Sequence, residues 1–497
     1  MSHKRIWFLV SFLAMAGLIM AACTPQTVEV TRVVSETITE QVEVTRVVTE
    51  TIEVEGEMVE VTRIVEAAAE PQFPEGTELR ILQWSHFVPQ YDRWFDPFAM
   101  EWGDANGVNV TVDHIDQAQL IATLTAAIDA GEGPDLVELI IAPSLFVEGI
   151  HDLTDVNMRA QELFGEPIDT CVANAYLPAN DLWYGYCHAW VPDPGDFDIN
   201  LWTQVGFPEG PATYDDLLQG GAAIREQFDI PMGLGLSPEI DSNMAMRAIM
   251  WSFGGSIQDE NECVVINSPE NIEAVEYVVD LYNQTMTEEV FAWNAASNNQ
   301  GLIAGELSYI LNSISAYRSL QKIDPVAADN IGFTEALTGP RGDQHASAHL
   351  WSVYVIPNYV EEGSPTMEAA KEFMLHLTAN YNQATFNSEL YNFPGFPSTV
   401  PQLYDEGGWL DVDPFGSRPP NKLQVLRTAE EWVTHLGYPG VANPAEAEVY
   451  ATHIIPTMMG KAALGELTPE EAVDEAEAQI NDIFDSWRER GYVGCAE

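Results

Sequence analysis

Apolar and polar positions alternate beyond residue 77 in a way that indicates helices and strands in turn. The apolar run 79–82 has the length of a strand. Apolar residues then recur at helical spacing over 120–128, the pattern stops at Gly131, and the run 135–141 follows as another strand. Near the end of the chain the helical pattern is carried by Val473, Ala476, Ile480, Ile483 and Trp487. Such alternation is typical of an α/β protein.

Capping residues mark three helix starts. Thr213, Ser268 and Thr468 each stand before an acidic first turn, and a proline follows the last two. A side-chain acceptor, a first-turn proline or an early acidic residue satisfies or suits the exposed amides of a helix start. We therefore expect a helix to begin at each of these positions.

The N-terminus has the order of an export signal. Two basic residues precede the uncharged run 6–20, and small residues lead to Cys23. A membrane-spanning helix is the alternative, but the run is at the short end of the roughly 20 residues that a bilayer requires. The segment resembles a bacterial lipobox with Met20 where Leu is usual. We expect residues 1–22 to be removed and an acylated Cys23 to anchor the protein extracytoplasmically, at the outer face of the cell membrane or in the periplasm.

Residues 23–76 repeat one motif, VEVTRVV at 28–34 and 42–48 and VEVTRIV at 59–65. Two heptads separate the first two copies, so a coiled-coil stalk is one interpretation. Dense Val and Thr argue against it, because β-branched residues are mediocre helix formers. We expect a flexible, extended spacer that holds the remaining chain roughly 40 Å from the membrane.

Length and charge narrow the class of protein. A chain of 497 residues exceeds a single hydrophobic core and indicates two large lobes, which 46% apolar residues suffice to build. The 20 basic and 77 acidic side chains give a formal net charge of −57. Phosphates would be repelled, so nucleic acid is excluded as a partner.

Four cysteines remain beyond Cys23, and an oxidising compartment makes them disulfide candidates. They are Cys171, Cys187, Cys263 and Cys495. Three pairings are open. We prefer Cys171 with Cys187, because the short segment between them closes at low entropic cost. Free buried thiols are the alternative.

Six motifs in order resemble the family 1 extracellular solute-binding proteins, the maltose-binding-protein-like group. Residues 127–137, AIDAGEGPDLV, resemble the family's "aa.aGegPDlv" signature. The others lie at 198–200, 206–217, 254–270, 304–307 and 337–340. Each is weak alone, but together they cover nearly the whole chain beyond the spacer.

The resemblance implies an α/β, two-lobed periplasmic-binding-protein-like fold of type II with inter-lobe hinge strands. Lobe one would take residues 77–192 plus 337–385, and lobe two residues 193–336 plus 386–490. It also implies that the protein is the solute-binding component of an ABC importer. Such a component is expected to be a monomer and to need no cofactor. Such a protein captures a small solute in the cleft and delivers it unaltered to membrane permease subunits.

A carbohydrate is the expected solute, since sugars need flat aromatic faces together with amides or carboxylates. In segments that the family places at the cleft, the candidates are Trp84, His86, Ser144, Trp293, Asn294, Asn298, Asn299, Asn312, Tyr317, His349, Trp351, Tyr391 and Asn392. Trp84 is alternatively a core residue, each Asn a turn former, and the pair 391–392 a buttress of the hinge. The family's Gly-Pro-Trp is missing at 313–315, which argues against maltodextrin.

Two other classes of function stay open. A carbohydrate-active enzyme also pairs carboxylates with aromatics, but the sequence contains no G-x-S-x-G, no H-E-x-x-H and no P-loop. A surface adhesin would explain the repetitive spacer. His345 and His349 stand four apart, but no third ligand is near them, so no metal site is expected.

Overall fold

The computed structural model describes residues 45–54, 57–66 and 72–495. The chain divides into two units, residues 1–68 and 69–497, and each is described by itself. The predictions for the signal segment 1–22 and for Cys23 lie outside the described residues.

In the first unit, the repeats form a two-stranded antiparallel ladder. Strand β1 (Thr45–Val54) pairs with β2 (Glu57–Glu66), and Thr49 lies opposite Thr62. The β-branched residues that weaken a coiled coil favour strands. The described part of this segment thus forms two paired strands, and the extended spacer stays a prediction. The first copy of the motif, 28–34, lies outside the described residues.

The second unit contains two main sheets. Its strands are β3 (Thr77–Trp84), β4 (Val108–Ile115), β5 (Leu136–Leu139), β6 (Tyr176–Leu177), β7 (Leu182–Trp183), β8 (Tyr186–Val191), β9 (Gly195–Asp198), β10 (Tyr309–Leu311), β11 (Ile331–Thr334), β12 (Ala346–Ser347), β13 (Leu350–Val355), β14 (Phe393–Pro394) and β15 (Val433–Thr434). A six-stranded sheet runs in the order β14-β8-β13-β5-β3-β4, and a three-stranded sheet in the order β10-β9-β11. We call the halves built on them the first lobe and the second lobe.

Parallel and antiparallel pairs are combined in the large sheet. β3 is parallel to both β4 and β5, with Ile81 opposite Leu136, while β13 is antiparallel to β5 and β8. In the small sheet β9 pairs antiparallel with β10 and β11. The carboxyl ends of β3 and β5 therefore lie at one edge of the large sheet, where open α/β sheets bind ligands.

Helices fill the segments between strands. They are α1 (Gln90–Asn106), α2 (Leu120–Ala130), α3 (Thr154–Phe164), α4 (Asp169–Ala175), α5 (Ile199–Gln204), α6 (Tyr214–Phe228), α7 (Ile240–Ser252), α8 (Pro269–Thr285), α9 (Ser297–Ala304), α10 (Ser315–Ile323), α11 (Pro325–Ala328), α12 (Pro365–Ala379), α13 (Tyr381–Asn387), α14 (Pro401–Tyr404), α15 (Ala429–Trp432), α16 (Pro444–Ala451), α17 (Ile454–Ala463) and α18 (Pro469–Glu489). Within the described residues, none of these helices combines the length and the hydropathy that a membrane span requires.

The helix starts predicted from capping residues are confirmed. Thr213 and Thr468 each form a full capping box, and the Ser268 hydroxyl accepts a hydrogen bond from the third amide of α8. The helix α2 ends at Gly131, whose φ of 69° is the left-handed conformation that glycine adopts freely. The apolar stripe of α18 is confirmed too, with Trp487 buried.

The chain after α13 belongs to the first lobe by its packing. β14 pairs antiparallel with β8, so the segment adds an edge strand to the large sheet. Leu403, Leu410 and Leu426 then bury in the same core cluster as Trp190 of β8. The expected lobe boundary at residue 385 therefore differs from this arrangement, because aromatic and leucine side chains up to about residue 436 cover the first lobe.

Three segments connect the lobes. The chain passes from β8 to β9, from β11 to β13, and from β15 to α16. On two of these passages, β12 and β15 run parallel, with Ala346 opposite Val433. Two short paired strands at a crossing have the position of a hinge.

Two disulfides crosslink segments of the second unit. Cys171 bonds to Cys187, with 5.6 Å between the Cα atoms, and joins α4 to β8. Cys263 bonds to Cys495 across a sequence separation of 232 residues and holds the C-terminal segment on the second lobe.

Candidate ligand-binding cleft

A cavity of about 520 Å³ lies between elements of the two lobes. On the first lobe its wall is the start of α2 together with residues 139–141 at the carboxyl end of β5. On the second lobe the wall is formed by residues 238–240 at the start of α7, residues 293–295, and the end of α16. Its volume is in the range of small-molecule sites.

The walls are largely aliphatic, with a few polar groups set among them. Leu120, Ile121 and Ile140 supply apolar surface, and Trp293 adds an indole to the lining. The polar lining consists of Gln117, Glu239, Asn294, Tyr450 and His453. Among the residues that line this cavity there is no Lys or Arg. An apolar wall with a few convergent polar groups is the usual make-up of a small-molecule site.

Glu239 owes its position to the helix that follows it. Its carboxylate caps α7 by accepting hydrogen bonds from the backbone amides of Asp241 at 2.8 Å and Ser242 at 2.5 Å. Burial nevertheless raises the pKa of Glu239, outweighing these bonds. Burial also lowers the pKa of His453, so this imidazole is neutral near neutral pH. The cavity therefore presents acceptors and neutral groups to a solute.

A buried layer of polar residues lies behind Glu239. Asp241 accepts a hydrogen bond from the Asn298 amide at 2.8 Å, and its Oδ1 has no partner within the described chain. Burial first, and then the charge of Glu239, raises the pKa of Asp241 well above its usual range. Asn299 donates to the Ser315 hydroxyl at 3.1 Å and accepts from Asn312. Three of the predicted asparagines are thus brought together at the start of α9.

The first lobe adds a histidine and an aromatic to this layer. His349 Nδ1 lies 3.0 Å from Asp193 Oδ1, and the His349 ring is 6.2 Å from that of Tyr391. Burial lowers the pKa of His349, but its hydrogen bond and ion pair with Asp193 outweigh burial and raise it overall. Neither polar atom of the Asn392 carboxamide has a hydrogen-bond partner in the described chain. The charge of Asp241 acts on both His349 and Tyr391, so these two residues lie near the start of α7 at the junction of the lobes.

Trp84 and His86 lie in a different buried cluster. Trp84 packs in the core of the first lobe, 4.1 Å from the His86 ring. His86 Nδ1 lies 2.6 Å from Asp92 Oδ1, and its Nε2 lies 3.6 Å from Glu138 Oε2. His188 Nε2 approaches the other Glu138 oxygen at 3.0 Å. The structure thus joins Trp84 and His86 to the large sheet rather than to the cavity wall.

Three further candidates also lie away from the cavity wall. The Ser144 hydroxyl donates to the Ala442 carbonyl at 2.6 Å, which ties the lobes together beside a crossing. Tyr317 donates to Ser417 at 2.7 Å beside the buried Arg318–Asp413 ion pair. Trp351 is buried in β13 opposite Trp190.

Of the predicted candidates, only Trp293 and Asn294 line the cavity directly. Glu239, Tyr450 and His453 line it without having been singled out from the sequence. The one local signal is for Glu239, which follows Ser-Pro and opens a helix. No sequence pattern marks the other two, because the chain brings them to the cavity only after its last passage between the lobes.

Solved structures of binding proteins match most of this chain. T. maritima MalE3 with bound maltose matches at 20% sequence identity with a TM-score of 0.67, over 82% of this chain and 100% of that one. A putative oligosaccharide periplasmic-binding protein from Synechococcus sp. MITs9220, in complex with zinc, matches at 20% identity with a TM-score of 0.68, over 83% and 99%. A sugar transporter from Arthrobacter chlorophenolicus A6 with bound laminaribiose matches at 15% identity with a TM-score of 0.66, over 82% and 99%. These likenesses confirm the two-lobed α/β fold.

No curated protein sequence matches the chain significantly. The model of one family, described as bacterial extracellular solute-binding protein, matches residues 94–409. That range is more than half of the 497 residues and contains all six motifs in full. The resemblance and the family match therefore agree. The chain belongs to the family of bacterial extracellular solute-binding proteins.

Proposed function

We propose that this protein is the extracytoplasmic component of an ABC importer that captures a carbohydrate. The observation that carries the proposal is the cavity between the lobes, with Trp293 and a few acceptors set in apolar walls. Sugars offer C–H faces to indoles and hydroxyls to carboxylates and amides. Solved structures of the same fold hold maltose and laminaribiose.

Capture would use closure of the lobes. We infer that the first lobe comprises residues 77–192 and 337–436, and the second lobe 193–336 and 437–490, with the three connections as hinges. The solute would bind to one wall and draw the other wall over it, and closure would follow from the added contacts. The closed form would then be the one that the membrane permease subunits receive.

Trp293→Ala tests the stacking face. A thermal-shift screen of sugars, polyols and oligosaccharides first finds a solute, since a ligand of the folded state raises the melting temperature. The variant is then expected to raise the Kd for that solute at least tenfold, as measured by calorimetry. Trp94→Ala is the matched control, because Trp94 is also half-buried but stacks on Phe98 of α1, outside the cavity.

Unchanged affinity in a folded Trp293→Ala variant would remove the indole from the site. Hydrolysis of aryl glycosides by the purified protein would overturn the binding-protein proposal in favour of an enzyme. Affinity for polymers or cells alone would favour an adhesin.

The proposal includes a lipid anchor at Cys23 and delivery as a monomer. It rests on the lipobox-like residues 20–23 and on the extracellular assignment of the family. Mass spectrometry of the mature protein tests the anchor: an acylated Cys23 at the N-terminus is expected, and an intact signal segment would contradict it.

A further inference from the structure

A second cavity of about 400 Å³ continues the first one. The two share Ile121 of α2 and Ala451 of α16 in their walls. The two cavities therefore adjoin at an aliphatic side chain and a methyl group. We call the cavity beside Trp293 the first compartment and this one the second compartment.

The same face of one helix runs along both compartments. Ile121, Thr125 and Ile128 are spaced by four and three residues, so they lie in one row on α2. From Leu120 to Asp129 the helix advances roughly 14 Å at about 1.5 Å per residue. The compartments thus form an elongated groove whose floor is this row of side chains.

The second compartment is more polar than the first. Asp129, Glu148 and Glu448 supply carboxylates, and Arg490 supplies the one cationic side chain among its lining residues. Arg490 stacks over the Trp487 ring, 3.4 Å from the centroid, and lies 3.6 Å from a Glu148 oxygen. Three carboxylates against one guanidinium disfavour an anionic solute and offer acceptors to hydroxyl groups.

The ion pair at the far end closes the groove only weakly. Arg490 is 36% and Glu148 53% exposed, and they come from different lobes. Water screens exposed pairs of this kind, so a solute that reaches them meets little resistance. Its hydroxyls would find the same Glu148 carboxylate that Arg490 now faces.

We propose that the groove takes a neutral linear oligosaccharide of at least three units, with one sugar against Trp293 and the others along α2 toward Glu148. The inference rests on the carbohydrate-binding function proposed above and adds the size and charge of the solute. A monosaccharide would leave the second compartment empty, whereas a longer chain uses both walls over their full length.

The test is a length series measured by calorimetry on the full-length protein. The probes are glucose oligomers of one to six units with α-1,4, β-1,3 or β-1,4 linkage and β-1,4 mannose oligomers. In the series that binds, the Kd is expected to fall at least 30-fold from one to three units and then to level off. Oxidation of the same oligomers to uronates should abolish binding.

Thr125→Trp blocks the second compartment with an indole and leaves the first compartment unchanged. It should raise the Kd of the trisaccharide at least tenfold and change that of the monosaccharide less than twofold. Ala126→Trp is the control, because residue 126 is exposed on the same helix and lines neither compartment.

Two failures are distinguishable. A monosaccharide or polyol that binds as tightly as any trisaccharide would overturn the elongated groove and leave the binding function standing. Equal increases in the trisaccharide Kd in Thr125→Trp and Ala126→Trp would also overturn the elongated groove and leave the binding function standing. A folded protein that binds no saccharide or polyol at all would overturn the proposed function and this inference with it.

Discussion

Two buried groups of histidine and carboxylate residues in this protein differ in how their charges are met. The sheet cluster consists of His86, Asp92, Glu138 and His188, all in the first lobe. The junction cluster consists of Asp193, Asp196, Glu239, Asp241 and His349, which come from both lobes and the segment between them. Both clusters are largely removed from water. Only in the sheet cluster does every carboxylate have an imidazole beside it.

In the sheet cluster, Glu138 is fully buried between two imidazoles, and Asp92 faces one of them from the other side. In the junction cluster, one imidazole serves Asp193, while Asp196 has no hydrogen-bond partner in the described chain and lies near another carboxylate. Burial first, and then the Asp193 charge, raises the pKa of Asp196 well above its usual range. The Glu138 oxygens also lack a hydrogen bond of good geometry in the described chain, so the two clusters differ in charge: Glu138 has imidazoles on both sides, whereas Asp196 faces another carboxylate where the lobes meet.

The largest effect is expected from breaking the sheet cluster. Glu138→Ala should lower the free energy of unfolding by about 3–5 kcal/mol, because two buried imidazoles lose the carboxylate between them. Urea unfolding followed by fluorescence measures the loss, and Glu138→Gln, which keeps the volume, should lose less. Solute affinity of the folded variant should stay unchanged. A loss below about 1 kcal/mol would show that Glu138 contributes little to the stability of the first lobe.

An intermediate effect is expected in the junction cluster, and it depends on pH. A carboxyl group whose pKa is higher in the folded than in the unfolded protein loses stability as pH rises from about 4 toward the raised value. Asp196→Asn removes this loss, so the variant should be more stable than the parent, and the difference should grow as the pH rises above about 4.

Thermal melts at pH 5 and pH 8 measure the difference, which should be larger at pH 8. Asp198→Asn is the control, since Asp198 lies two residues along β9 and is less buried. If the stability of the parent and of Asp196→Asn depended on pH in the same way, the raised pKa of Asp196 would be contradicted.

The smallest effect on stability is expected at the cavity rim. Asn294 is exposed, and within the described part of the chain its Oδ1 accepts only from the Ala296 amide and the Ser297 hydroxyl. Asn294→Ala should change the free energy of unfolding by less than about 1 kcal/mol. It should weaken solute binding about two- to tenfold, the worth of one hydrogen bond. Affinity equal to that of the parent would place Asn294 outside the contact surface.

The sequence allowed more of the fold than of the site to be predicted. Caps at Thr213, Ser268 and Thr468 and the stop at Gly131 act within one helical turn, so their outcome follows from neighbours along the chain. The motif 127–137 similarly marks a helix followed by a strand. The segment 393–436 had no such local signal, and its place on the first lobe depends on β14 pairing with β8.

The amino-acid sequence by itself determined the α/β class, the family and the beginnings and ends of several helices, because periodicity, caps and short motifs act over neighbouring residues. Only the tertiary structure decided which side chains reach the cavity. Trp293 and Asn294 do so, whereas Trp84 and His86 are packed against Glu138, and Glu239 and His453 come in from other segments. A cavity is formed by surfaces of elements far apart in the chain, and no local pattern records which faces will meet.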